Sequence, residues 1–164
     1  MNFDLRLARS TAHGGDRAQV LLDEADVIRT MNVYCHAMDY GHPQLWAECF
    51  IEEGVYAANM PDGAHREIVG REALAAYAAA HQGPPVKFPK HMFWAPVIDF
   101  DGARAKATAM FAVVNDTANG PAIEVYGVYD DELVREPDGI WRFVRRVSNV
   151  EAVASTFRAA PVPR

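Results

Sequence analysis

The chain has 164 residues and a formal net charge of −6, and 50% of its residues are hydrophobic. That length points to one domain, able to bury roughly 68–70% of the surface its unfolded chain exposes, and the composition excludes a disordered chain. The acidic balance and scattered basic residues argue against nucleic acid and anionic membranes as partners, because both require a basic face. The densest basic cluster, Arg145-Arg146, reads as a solvated strand edge or an ion-pair partner. The cysteines, Cys35 and Cys49, fit neither a zinc spacing nor a disulfide scaffold and read as buried free thiols of a reducing compartment. No apolar run approaches the roughly 20 residues of a membrane span, and the first nine residues lack a signal-peptide core. Cytoplasm is the expectation.

Residues 1–16 read as an N-terminal arm, closed by Gly14-Gly15, with Asp16 able to cap the first helix. From Arg17 to Tyr40 the apolar residues recur at helical steps. Leu21, Ala25, Ile28, Met31 and Cys35 form one stripe, widened by Val20, Val27, Tyr34 and Met38. Gly41 ends this helix. Pro43 suits the first turn of a short second helix holding Leu45, Trp46, Cys49 and Phe50. Gly54–Ala58 and Ile68-Val69 read as short strands around the turn Pro61-Asp62-Gly63. A third helix runs from Arg71 to His81, with Gly83-Pro84-Pro85 as its stop. The period then changes. His91–Phe100, Ala103–Asn115, Ala122–Arg135 and Ile140–Val150 are β-rich runs with Asp101-Gly102, Asn119-Gly120-Pro121 and Pro137-Asp138-Gly139 as turns between them. Helices followed by antiparallel hairpins indicate an α+β domain over residues 17–150, with a tail over 151–164. A long sheet curling over helices leaves a concave, mostly apolar space suited to a small ligand.

Three residue types invite a proton-transfer reading: Tyr34 and Asp39 at the closing end of the first helix, and His91 opening a strand. Histidine exchanges protons near neutral pH, an aspartate can fix its tautomer, and a phenol can donate to a developing oxyanion. Taken singly, each has a plainer role: a solvated helix-end carboxylate, a structural histidine, a core tyrosine. Asp39 and Tyr34 lie about 140° apart on an ideal helix, so one narrow face cannot hold both. Tyr56 and Tyr126 are rival phenols, and His36, His42, His65 and His81 are rival imidazoles, of which the last three read as solvated. Asn115 and Asp116 could contact a ligand. No phosphate loop, dinucleotide fingerprint, serine elbow or metal triad is present.

The ordered set Tyr34-x4-Asp39 with Gly41, Trp46 and Phe50, Gly70-Arg71-Glu72-Ala73-Leu74, Lys90-His91-Met92 and Asp138-Gly139-x-Trp141-Arg142-Phe143 resembles the SnoaL-like branch of the nuclear transport factor 2-like superfamily over about residues 20–150. The resemblance implies a cone-shaped α+β barrel, a curled mixed sheet wrapped around N-terminal helices, in a homodimer or homotrimer. Within that branch the Tyr/Asp/His set is similar to the cofactor-free dehydratases: bile-acid 7α-dehydratase, scytalone dehydratase and lindane dehydrochlorinase. It implies Tyr34, Asp39 and His91 as catalytic residues of a lyase or isomerase that uses no cofactor and no metal. The late arginine of the bile-acid enzyme has no clear counterpart, since Arg145 and Arg146 fall early. The expected substrate is a small, mostly apolar ring carrying a carbonyl. Tyr56, Trp94, Met110, Phe111, Asn115, Tyr126 and Val128 are the candidate pocket residues. A non-catalytic binding or accessory module of the same fold, including one like an oxygenase β-subunit, is the alternative.

Overall fold

The computed structural model describes residues 17–81 and 89–155. The N-terminal arm with its Asp16 cap, the Gly83-Pro84-Pro85 stop and most of the tail lie outside them. Three helices, α1 (Arg17–Tyr40), α2 (Pro43–Glu48) and α3 (Arg71–Ala80), accompany six strands: β1 (Phe50–Asn59), β2 (His65–Val69), β3 (Lys90–Asp101), β4 (Arg104–Thr117), β5 (Gly120–Arg135) and β6 (Trp141–Val153). They form one mixed sheet in the order β2-β1-β6-β5-β4-β3. Only the β1–β6 pairing is parallel. The sheet is open, with β2 and β3 at its edges, and α1 packs against both β3 and β6. Phe50 opens β1 instead of ending α2, and β6 extends to Val153, three residues beyond the expected domain end.

Gly41 ends α1 at φ 77°, a conformation glycine adopts without strain. The His42 N–H then reaches back to the Ala37 carbonyl at 2.9 Å, in the pattern of a Schellman cap. This fixes Asp39 in the last helical turn. The buried face of α1 is Asp23, Val27, Thr30, Met31, Tyr34, Cys35, Ala37, Met38 and Asp39. It keeps Val27, Met31, Tyr34, Cys35 and Met38 of the expected stripe but is rotated at its N-terminal end, where Asp23 is buried and Leu21 is 66% exposed. The cause is polar anchoring. The Asp23 carboxylate accepts hydrogen bonds from the Trp141 indole at 3.1 Å and from Arg135 at 3.0 Å. The Thr30 hydroxyl donates to the Trp141 carbonyl at 2.7 Å. Buried groups bonded in this way fix the helix's rotation more strictly than apolar matching does.

The inner face of the sheet carries Phe50, Tyr56, Phe111, Val125, Tyr129, Leu133, Trp141 and Phe143, which pack with Val27, Met31, Tyr34, Trp46, Leu74 and Tyr77 of the helices. Inside this core lies a fully buried ion pair, Arg146 Nε to Asp131 Oδ1 at 2.8 Å and Nη2 to Oδ2 at 2.7 Å. Of the two expected readings, Arg145 pairs with Glu67 near solvent, whereas Arg146 is an ion-pair partner that is fully buried. A bulge is responsible. Leu133 pairs with Phe143 but Glu132 pairs with Arg145, so Val144 is skipped and the inward phase passes from odd to even positions.

Removing one partner of a buried ion pair leaves the other charge uncompensated, which costs about 3–5 kcal/mol. Asp131→Ala is expected to lower the urea unfolding free energy by about that amount. Asp131→Leu combined with Arg146→Met is expected to recover most of it. Equal stability of Asp131→Ala and the unsubstituted protein would contradict the burial described.

Candidate active site

Asp39 is delivered by the last turn of α1, and His91 by the start of β3, the edge strand. Their register in the sheet, His91 opposite Val113, turns the imidazole toward the helices. The His91 backbone N–H, on the free side of the edge strand, donates to both Asp39 carboxylate oxygens at 3.1 and 3.0 Å. The imidazole Nδ1 lies 2.6 Å from Asp39 Oδ1. An ionised carboxylate accepts only, so in the neutral imidazole this contact places the proton on Nδ1 and the lone pair on Nε2. Asp39 is 5% exposed, and the His91 side chain 13%. Next to this pair, the Lys90 ammonium lies 4.5 Å from the centroid of the Tyr40 ring, a second tie between the end of α1 and the start of β3.

Tyr34 is buried one turn earlier, in an aromatic nest with Trp46, Phe50, Tyr129 and Phe143, ring centroids 5.1–6.1 Å away. The Arg146 guanidinium lies 4.3 Å from its centroid, and 4.1 Å from those of Tyr129 and Phe143. Burial pushes the Tyr34 phenol well above its ordinary range, reinforced by Tyr56 and Tyr129 and only partly opposed by Arg146. Tyr34 is thus a neutral hydrogen-bond donor, and it makes no hydrogen bond to Asp39 or His91. Burial would lower the Arg146 pKa, but the Asp131 carboxylate more than offsets it, so the guanidinium stays protonated. Its Nη1 is buried without a hydrogen-bond partner.

Of the expected pocket residues, Tyr56 and Phe111 are interior. Tyr56 accepts a hydrogen bond from the Ser148 hydroxyl at 3.3 Å, and Phe111 stacks on Tyr129 at 4.2 Å. Trp94, Met110 and Tyr126 do not line the interior. They are 44%, 50% and 49% exposed on the outer face of the sheet, where Val128 pairs with Met110. Alternation along a strand allows only one of Met110 and Phe111 to face inward. The Asn115 amide is committed to Glu124 at 2.8 Å. Cys35 and Cys49 are free and buried, and burial pushes both thiols up to about 12, which leaves them unreactive. Among the described residues, no cluster of three or more His, Cys, Asp or Glu has the arrangement to hold a metal ion, and no helix is long and apolar enough to cross a membrane.

Two other imidazoles resolve differently. His36 faces solvent and stacks on Tyr40, beside a cleft of about 570 Å³ on the outer side of α1 that includes neither Asp39 nor His91. His81, read as solvated, is instead half-buried against Tyr77, with ring centroids 4.7 Å apart. Sequence reasoning missed it, together with Arg146, Asp131, Tyr77, Tyr129 and Ser148. For Tyr77, at i−4 from His81 on one helical face, the spacing was visible. For Arg146 and Ser148, the bulge at Val144 hides the phase.

The site's electrostatics yield a pH dependence. Burial, helped by the His91 and Arg66 charges, lowers the His81 pKa from 6.5 to about 4. As pH falls below 6.5, the unfolded chain takes up a proton that the folded ring refuses, so stability declines toward pH 4. Urea unfolding should therefore show a smaller loss between pH 7 and pH 5 for His81→Gln than for the unsubstituted protein. An NMR titration should find the His81 ring still neutral at pH 5. A His81 midpoint near 6.5 would refute this.

A family model described as a SnoaL-like domain matches residues 19–147. No curated protein matches the sequence at a significant level. Among solved structures, the chain is similar to a protein of unknown function from Mycobacterium tuberculosis, at 28% identity and TM-score 0.75, covering 87% of this chain and 80% of that one. It is also similar to a putative scytalone dehydratase from Novosphingobium aromaticivorans, at 23% identity and TM-score 0.72, covering 89% and 95%. The β-subunit of a putative aromatic-ring-hydroxylating dioxygenase from the same organism gives 18% identity and TM-score 0.73, covering 88% and 99%. The latter two likenesses establish the fold alone.

Proposed function

The chain belongs to the SnoaL-like domain family, and on that premise we propose that it is a cofactor-independent lyase or isomerase acting on a small, mostly apolar ring with a carbonyl group. The observation that carries this reading is the Asp39–His91 pair. The carboxylate holds the proton on Nδ1 and leaves Nε2 as a base. Nε2 abstracts a proton beside the substrate carbonyl, and Asp39 stabilises the imidazolium that forms. Electron density moves to the carbonyl oxygen as an enolate. Tyr34, a neutral donor near the Arg146 guanidinium, stabilises that oxygen or protonates a departing hydroxyl. Loss of water gives an α,β-unsaturated carbonyl. Return of the proton to another carbon gives a shifted double bond. Phe111 and Tyr129 supply apolar walls. A general acid–base step contributes roughly 10²–10⁴-fold. Asp39→Asn and His91→Ala are each expected to lose turnover by about that factor on cyclic β-hydroxy ketones, with product followed by its enone absorbance and circular dichroism unchanged. Full turnover in both variants would refute the mechanism.

We also propose that a second copy of the chain covers the outer face of the sheet. Met92, Trp94, Met110, Tyr126 and Val128 form an apolar band there. Beside it runs a cross-strand row of Lys106, Glu132 and Arg145. A row carrying both signs can match a two-fold copy of itself. Met110→Asp is expected to convert the protein from a dimer to a monomer by analytical ultracentrifugation. A monomeric unsubstituted protein at tens of micromolar would refute the interface.

A further inference from the structure

We propose that the cleft between α1 and α2 is a second binding site, and that its ligand is an amphiphilic anion, a carboxylate carrying an apolar aromatic tail. The cleft holds about 570 Å³ and includes neither Asp39 nor His91, so the inference does not depend on the catalytic reading of that pair. One side is the outer stripe of α1, where Arg29, Val33, His36 and Tyr40 recur at helical steps. The other is Leu45 of α2, with His42 just ahead of that helix. Tyr40 and Leu45 are 51% and 43% exposed, so apolar surface stands open on both sides. The volume lies in the range of small-molecule sites, roughly 300–1,000 Å³. From Arg29 to Tyr40 the helix rises about 16 Å, which suits an elongated ligand.

Charge decides the kind of ligand. The chain as a whole is acidic, at −6, and α1 carries Asp23, Glu24, Asp26 and Asp39. Yet among the described residues no aspartate or glutamate lines this cleft, whereas Arg29, His36 and His42 do. Arg29 also borders a smaller cleft of about 300 Å³ whose lining includes Asp26 and Glu48. It makes no ion pair with either, and no hydrogen bond with any described residue. A planar guanidinium left in this state can hold a carboxylate through two parallel N–H···O bonds. Further along the stripe the His36 and Tyr40 rings stack, with centroids 6.0 Å apart and 14° between planes. The Lys90 ammonium lies 4.5 Å from the Tyr40 centroid. The Arg29 end thus suits the carboxylate, Val33 and Leu45 the chain behind it, and the stacked rings an aromatic tail.

The test is binding by the full chain at pH 7. Calorimetric titration compares 6-phenylhexanoate with 6-phenylhexanamide, which has the same skeleton and no charge. The unsubstituted protein is expected to bind the carboxylate roughly tenfold more tightly. Arg29→Ala should abolish that preference, and Arg29→Lys, which keeps the charge but not the fork, should retain part of it. Leu45→Glu, which sets a carboxylate into the wall at an exposed position, should abolish binding of 6-phenylhexanoate with circular dichroism unchanged. His91→Ala should leave the preference as it is, since His91 lies outside the cleft. An undiminished preference in Arg29→Ala overturns the proposal, as does a preference lost in His91→Ala, which would place the anion in the interior. Absence of binding at millimolar 6-phenylhexanoate overturns it too. So does conversion of a dimer to a monomer by Leu45→Glu in analytical ultracentrifugation, because a second copy of the chain would then be the occupant of the cleft.

Discussion

Asp39 occupies a position where a carboxylate is electrostatically disfavoured, in the closing turn of a helix whose last carbonyls already concentrate negative partial charge. A single residue of a distant strand holds it there. His91 gives it a backbone N–H shared between both oxygens and a ring nitrogen at 2.6 Å. The strand can give its N–H because β3 lies at the sheet edge, where one side of the backbone has no ladder partner. One interaction thus satisfies an orphan edge donor, compensates a misplaced charge, docks the first helix on the long sheet and sets the tautomer of an imidazole. The last of these is the only one that bears on chemistry, and it is inseparable from the other three.

Behind that pair, the interior is more polar than an apolar cone needs to be. Arg146 and Asp131 share a bidentate contact inside a cage of Tyr34, Tyr129 and Phe143 rings. A buried pair of this kind is weak evidence of stabilisation, because desolvation offsets most of the attraction. Its more specific effect is electrostatic. A permanent cation stands beside Tyr34, yet burial still keeps the phenol protonated. The interior therefore offers one imidazole paired with a carboxylate, one neutral imidazole and several neutral phenols, a set suited to moving protons and accepting hydrogen bonds.

The two faces of the sheet divide the aromatic and sulfur-bearing residues by strand parity. Phe111 and Tyr129 face the helices, while Trp94, Met110 and Tyr126 face outward. Where Gly127 faces inward, a Cβ would stand 2.1 Å from the Asn149 carbonyl oxygen, so only glycine permits the close approach at that bulge. Bulges at Val144, Glu151 and Glu124 bend the long strands. They also reassign which residues reach the interior.

Much of this was legible in the chain itself. The 3.6-residue period and Gly41 marked α1 to its last residue, the Asp-Gly and Asn-Gly turns marked the hairpins, and the ordered motifs resembled a family whose fold the chain shares. Local propensities and turn chemistry act over a few residues, so they can be read in sequence. Three things could not be. The rotation of α1 was decided by Asp23 and Thr30 bonding to a strand more than a hundred positions away. The burial of Arg146 was decided by a one-residue bulge that no composition announces. The meeting of Asp39 with His91, and the half-burial of His81, were decided by how an edge strand and two helix ends close on one another. These depend on contacts between distant segments, whose energies exist only once the whole sheet has curled around the helices.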